Sequence, residues 1–230
     1  MSEALRILAA LLRGEASAAD AMANTLRTEA LGFAAFGRTD ALDLFAAHPL
    51  ALSATPHVLE SSRALAVLDA THDGRLFGVY AELADGVLAR VWVAGATAAD
   101  ARCEPAVPLA RDDFLSQLRV PCQGDARDHP GIDAARWPAV LALGTEALAA
   151  SSTNGRPIAA SSSRAVVMHA FGADGRFAAL YDLRILEDTS PRRSHRRLAL
   201  AAARCDGAGT VLHSRLAISD ALPTPAMAIF

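Results

Sequence analysis

The chain has 230 residues, 52% of them hydrophobic and 20% charged, and a formal net charge of -3. This composition excludes an intrinsically disordered chain, and the near balance of charge excludes a general electrostatic pull toward nucleic acid or an anionic membrane. All 22 basic residues are arginine, which removes Schiff-base and P-loop chemistry, since both need a lysine amine.

Leu5, Leu8 and Leu12 fall at helical spacing and predict an amphipathic helix over Glu3–Arg13. The apolar run Ile7–Leu12 is too short for a signal peptide and is ended by Arg13. Helical periodicity extends the reading to a second helix over Ala18–Ala35 and a third over Thr39–Ala47, stopped by Pro49. No apolar run approaches the ~18 residues of a membrane span.

Strands follow, bounded by Asp-Gly pairs at 73–74 and 85–86 that suit two-residue hairpin turns: Arg63–Thr71, Arg75–Leu83 and Val87–Ala94. Asp112–Arg119 reads as a helix, Pro121–Gly131 as a linker and Asp133–Ala150 as a longer helix. Ser161-Ser162-Ser163 marks a bend. Arg164–Phe171, Arg176–Leu186, Arg196–Arg204 and Thr210–Ser219 complete the strands, with further Asp-Gly pairs at 174–175 and 206–207. Cys103, Cys122 and Cys205 stand far apart without a C-x-x-C, which points away from zinc or a disulfide framework and toward a reducing, cytoplasmic compartment.

Ser62-Arg63-Ala64 recurs as Ser163-Arg164-Ala165, Asp73-Gly74-Arg75 as Asp174-Gly175-Arg176, and Tyr80 as Tyr181, all at one offset of 101 residues. Pro56 and Pro157 keep it. Matches at a single offset predict a tandem duplication, with an α+β repeat over 1–110 and a second over 111–230. Each repeat places helices on one face of a curved antiparallel sheet, a cystatin-like unit, and the two pack as an intramolecular pseudo-dimer.

Helices followed by a meander, and above all the segment Leu198–Ser219, resemble the nuclear transport factor 2-like superfamily, with its SnoaL-like cyclases and ketosteroid isomerases. The resemblance implies a cone-shaped helix-on-sheet fold that hosts binding proteins, cofactor-free enzymes and scaffolds alike. No catalytic motif of that group matches here, so it implies no site residues.

A two-residue turn at Asp174-Gly175 puts Val167, His169, Phe171, Leu180 and Asp182 on one face of the second meander, with His169 and Asp182 as diagonal neighbours. The same construction around Asp73-Gly74 gives a wholly apolar face, Ala64, Ala66, Leu68, Ala70, Phe77, Val79, Ala81 and Leu83. An imidazole beside a carboxylate in an apolar setting suits proton transfer, and equally a structural hydrogen bond. Tyr80 and Tyr181 fall on the opposite face and read as packing residues or as catalytic ones, with Tyr181 also counted in the ligand lining. Asp69 and Glu82 are a candidate carboxylate pair. Arg192–Arg197 reads as the wet tip of a long hairpin or, through Arg193 and Arg197, as an anion-binding patch. Asp125, Asp128 and His129 match no metal motif and read as a solvated turn.

Three functions stay open: a pocket in the second repeat that binds a small apolar ligand; a cofactor-free isomerase, cyclase or dehydratase using His169 and Asp182; and a scaffold with filled cores. The first is carried forward, with no cofactor, nucleic acid or membrane partner expected.

Overall fold

The computed structural model describes residues 1–230 except 31–32, 96–121, 152–161, 174, 188–192, 207–208 and 220–230. The expected helix over 112–119, Cys103 and Ser161 lie outside the described residues. The protein is an α+β fold of two sheets, each carrying helices on one face and meeting the other sheet through its opposite face.

α1 (Glu3–Leu12) starts where the Ser2 hydroxyl accepts the Leu5 amide at 3.1 Å, and its stripe of Leu5, Leu8, Leu11 and Leu12 is buried. Gly14 ends it at φ 68°, with the Ala46 backbone too close for a β-carbon. The expected second helix over Ala18–Ala35 is instead a short 3-10 turn (Ala16–Ala21) followed by β1 (Met22–Ala30) and β2 (Phe33–Phe36). Burial of Leu26, Thr28 and Ala30, alternating with Arg27 and Glu29, has period two. Asn24, Thr25 and Thr28 are poor helix formers, so alternation prevails. α2 (Arg38–Ala47) follows as expected and ends just before Pro49.

Two short strands, β3 (Ala51–Leu52) and β4 (Val58–Glu60), lead to the meander β5 (Ala64–His72), β6 (Arg75–Ala84) and β7 (Val87–Gly95). Both Asp-Gly turns hold positive φ at each residue. The first sheet runs β2-β1-β7-β6-β5-β3, with β4 also on β5 and β1 parallel to β7. α1 and α2 cover its outer face.

In the second half the expected linker contains β8 (Cys122–Gln123), parallel to β9, and a short turn. α3 (Trp137–Ser151) lies under the meander β9 (Arg164–Ala173), β10 (Arg176–Glu187), β11 (Arg193–Cys205) and β12 (Val211–Ile218), ordered β12-β11-β10-β9-β8. The Tyr181 hydroxyl, wholly buried, donates to the Val140 carbonyl of α3 at 2.8 Å. Between β11 and β12 the pairing closes between the Asp206 amide and the Thr210 carbonyl at 3.0 Å rather than around a two-residue turn, and among the described residues of this connection Gly209 holds positive φ.

Among the described residues the strand order differs between the two halves, and two pairs related by the offset of 101 residues face opposite ways. Tyr80 faces the other sheet, whereas Tyr181 faces α3; Ala81 faces the helices of its half, whereas Asp182 faces the other sheet. The sheets meet in a buried cluster that includes Ala66, Leu68, Tyr80 and Trp92 from the first and Phe171, Leu180, Leu200 and Ala217 from the second. Gly78 permits this approach: a β-carbon there would lie 2.9 Å from the Ala217 β-carbon and 3.0 Å from Leu200 Cδ2.

Candidate functional site

Bulges decide where the expected site residues go. Pairing steps from Leu180–His169 to Tyr181–Val167, so Met168 is an extra residue and the strand changes face there. His169 and Phe171 therefore face the first sheet with Leu180, while Val167 faces α3 with Tyr181. The expected five-residue lining is thus divided between two faces. A similar irregularity between Val67 and Ala70 splits the apolar face expected in the first meander, turning Ala64, Ala66 and Leu68 inward to the other sheet.

Phe171 and Leu180 are buried against the first sheet rather than beside an open pocket. His169 and Asp182 share the inter-sheet face but bind different partners. The His169 Nδ1 lies 2.5 Å from Glu82 Oε1, and its ring stacks on Tyr80 at 5.7 Å and tilts against Trp92 at 4.8 Å. Asp182, 7% exposed, accepts from Arg196 Nε at 2.6 Å and Arg184 Nε at 3.3 Å, and Arg196 reaches Glu29 of β1 at 3.0 Å. Burial opposes the Arg196 charge, but the hydrogen bonds and charges of Asp182 and Glu29 more than offset it and raise its pKa. These contacts tie the sheets together and leave no histidine–carboxylate dyad between 169 and 182. The Tyr80 phenol is pushed up by burial, then by the Glu82 charge, and stays neutral.

Arg196 and Arg197 belong to β11 rather than to a wet hairpin tip: Arg196 lies between the sheets, and Arg197 is half-buried opposite Leu183. Arg193 begins the same strand, its side chain outside the described residues. Asp125 and Arg127 pair with each other in the linker, and that hydrogen bond holds the Asp125 carboxyl at about 2. His129 stacks on Trp137 at 5.3 Å. Asp69 and Glu82 do not pair: Asp69 accepts the His57 amide at 2.8 Å and the Ser53 hydroxyl at 3.2 Å.

A different site lies at the other end of the inter-sheet layer. A cleft of about 430 Å³ opens between β4 and the second sheet, walled by Leu59, Ala202, Ala203 and Leu212 and ringed by His57, Arg176, Arg204, His213 and Arg215. Pairing places Arg176 opposite Arg204, Arg204 opposite His213, and Ala202 opposite Arg215. Cross-strand partners project from one face, here the face that carries Ala178 and Ala202 against the first sheet. A row of basic side chains thus crosses three adjacent strands. None of the three arginines makes a hydrogen bond or ion pair among the described residues, and no carboxylate, hydroxyl or thiol side chain is among the described lining residues. The His57 pKa is lowered, first by burial, then by the charges of Arg215, Arg176 and His213, with Asp69 opposing.

The sequence reading missed this cleft. Each contributing residue is unremarkable in its own strand, and only the β10–β11 and β11–β12 registers assemble them. The hint present in the chain was the set of isolated basic residues Arg176, Arg204 and His213 at or near strand ends, with Arg215 inside β12.

Fold and cleft together define an α+β protein of two packed sheets with a basic recess at the rim. No family model matches the chain, and no curated protein matches it. Among solved structures, a de novo designed protein with a curved β-sheet matches at 13% identity and a TM-score of 0.31, covering 40% of this chain and 86% of that one. Among the described residues no helix is long and apolar enough to cross a membrane.

Proposed function

We propose that the protein binds a small organic anion, without turnover, in the basic cleft at the rim of the inter-sheet layer. One observation carries this reading: arginines directly opposite one another on β10 and β11, with a third arginine beside them, face a recess whose described lining offers them no counter-charge. Like charges opposite one another in a sheet are destabilising, and a bound anion relieves the repulsion. The recess has the size of a small-molecule site and an apolar wall for an organic body. Binding rather than catalysis is favoured because the described lining offers no carboxylate, hydroxyl or thiol to act with His57 or His213.

Of the lining expected from the sequence, Val167 and Tyr181 are packed under α3 and Phe171 and Leu180 against the first sheet, so the proposal moves ligand binding to the rim of the inter-sheet layer.

The test is thermal denaturation with graded concentrations of small aromatic anions at constant ionic strength. A ligand at a hundred times its Kd stabilises by about 2.7 kcal/mol, which corresponds to a rise of roughly 5–11 °C for a chain of this length. The rise should vanish in the double variant R204Q/R215Q. Equal stabilisation by uncharged analogues, or its survival in that variant, would refute the proposal.

A further inference from the structure

We infer that the charged group taken by this cleft is a compact dianion of the phosphate monoester class, and that an apolar organic body attached to it fills the remaining space. The inference rests on the anion-binding reading and specifies its ligand.

The first argument is the layout of charge. Arg176, Arg204 and His213 stand directly across from one another on three adjacent strands, and Arg215 lies two residues from His213 on β12. Directly opposed residues of antiparallel strands have Cα atoms about 4.5–5.5 Å apart. Long side chains at such spacing converge on a single group rather than on two separated ones. A dicarboxylate with its charges at opposite ends therefore fits this row poorly, and a group with its charge on one atom's oxygens fits it well.

The second argument is the count. Three guanidinium groups are permanently charged. A monocarboxylate has two oxygens, saturates one guanidinium fork and leaves two cations facing each other. A phosphate monoester has three terminal oxygens and about two negative charges above its second pKa of about 6. It offers every arginine an oxygen, with an imidazole donor available from His57, the His213 Nδ1 already donating to the Ser214 carbonyl at 3.1 Å. A sulfate ester has the same shape with one charge fewer. Because the chain contains no lysine, the choice of arginine carries no weight here; the placement does.

The third argument is space. A phosphate group displaces only a few waters, each about 30 Å³ in the liquid, so most of the 430 Å³ is left for the rest of the ligand. That remainder is bounded by Leu59 from β4 and by Leu212, which is 60% exposed, one of the few large apolar side chains so exposed among the described residues. An organic body on Leu212 would cover apolar surface that water now meets, whereas Leu59, 2% exposed, adds little to that gain.

The experiment is calorimetric titration of the full chain with phenyl phosphate, phenyl sulfate, benzoate and inorganic phosphate, at a pH well above the second phosphate pKa and at fixed ionic strength. Phenyl phosphate should bind tightest, by about 10-fold or more over phenyl sulfate and benzoate, in line with one further charge-assisted hydrogen bond. Inorganic phosphate should bind more weakly than phenyl phosphate. R204Q and R215Q, both at exposed positions, should each lower the phenyl phosphate affinity about 10- to 100-fold while leaving the circular dichroism spectrum unchanged. Benzoate or phenyl sulfate binding as tightly as phenyl phosphate overturns the dianion and leaves the anion-binding reading standing. Inorganic phosphate binding as tightly as phenyl phosphate overturns the organic body. Failure of every anion to bind, or binding unaffected by both substitutions, overturns the underlying reading as well.

Discussion

Replacing Gly78 with Val should drive the two sheets apart. Gly78 lies on β6 on the face that meets the second sheet, and a β-carbon added there would sit 2.9 Å from the Ala217 β-carbon and 3.0 Å from Leu200 Cδ2. Ordinary contacts of this kind begin near 3.4 Å. Leu200 is 0% exposed and Ala217 4%, so neither neighbour has open solvent to move into. Overpacking of this sort costs about 1–3 kcal/mol per added group or two. The gain in strand propensity from Gly to Val returns at most ~1 kcal/mol. A net loss of about 2 kcal/mol corresponds to a fall in Tm of roughly 4–8 °C for a chain of this length. Ala84, exposed near the end of the same strand, is the control, and A84V should stay within about 0.5 kcal/mol of the wild type. Thermal and urea denaturation of the three proteins measure this. If G78V is as stable as A84V, the sheets do not pack at Gly78, and the cleft built on that packing loses its wall.

The remaining expectations follow from the same contacts. Without ligand, R204Q should be more stable than the wild type by about 0.2–1 kcal/mol, because it removes the like charge opposite Arg176, and the gain should shrink at high salt; a loss of stability in calorimetric scans would contradict the charge row. His57 and His129 have pKa values lowered from 6.5, both chiefly by burial. The unfolded chain therefore binds more protons below that value, and the stability these groups contribute is present above it and is lost as pH falls through it. The double variant H57N/H129N should show a shallower decline between pH ~7 and ~5 in urea titrations, and an unchanged slope would refute the assignment. Y181F should cost about 1 kcal/mol, as the hydroxyl that donates to the Val140 carbonyl is lost from a buried site; an unchanged urea midpoint would argue against that contact.

Much of the strand order was legible because its turns are chemically explicit. Asp73-Gly74 and Asp85-Gly86 hold the positive φ that an Asp-Gly hairpin demands, and the strands beside them fall where alternation put them. β1 was not legible as a strand because its alanines suit either period, and the alternation of Leu26, Thr28 and Ala30 becomes visible only once β7 and β2 flank it. The face assignments failed at single bulged residues. One extra residue at Met168 reverses every side chain beyond it, so Val167 and His169 part company although they are two positions apart. The basic cleft depends on two registers: the β10–β11 connection carries no two-residue turn signal, and the Asp206-Gly207 signal between β11 and β12 misplaces the turn, since pairing closes between Asp206 and Thr210. No local pattern links Arg176 to Arg204 or Arg204 to His213. The duplication rested on matched residues at one offset, and of these Tyr80 and Tyr181 face opposite sides of their sheets.

The claim that the cleft holds an anion is tested most directly by nuclear magnetic resonance of the arginine Nε–Hε groups during titration with phenyl phosphate. The account predicts that Arg176, Arg204 and Arg215 shift together along one saturating curve, accompanied by the His57 and His213 rings, while Arg184 and Arg196, already engaged by Asp182, stay in place. Saturable shifts confined to Arg184 and Arg196, or no saturable shift at any arginine, would contradict it.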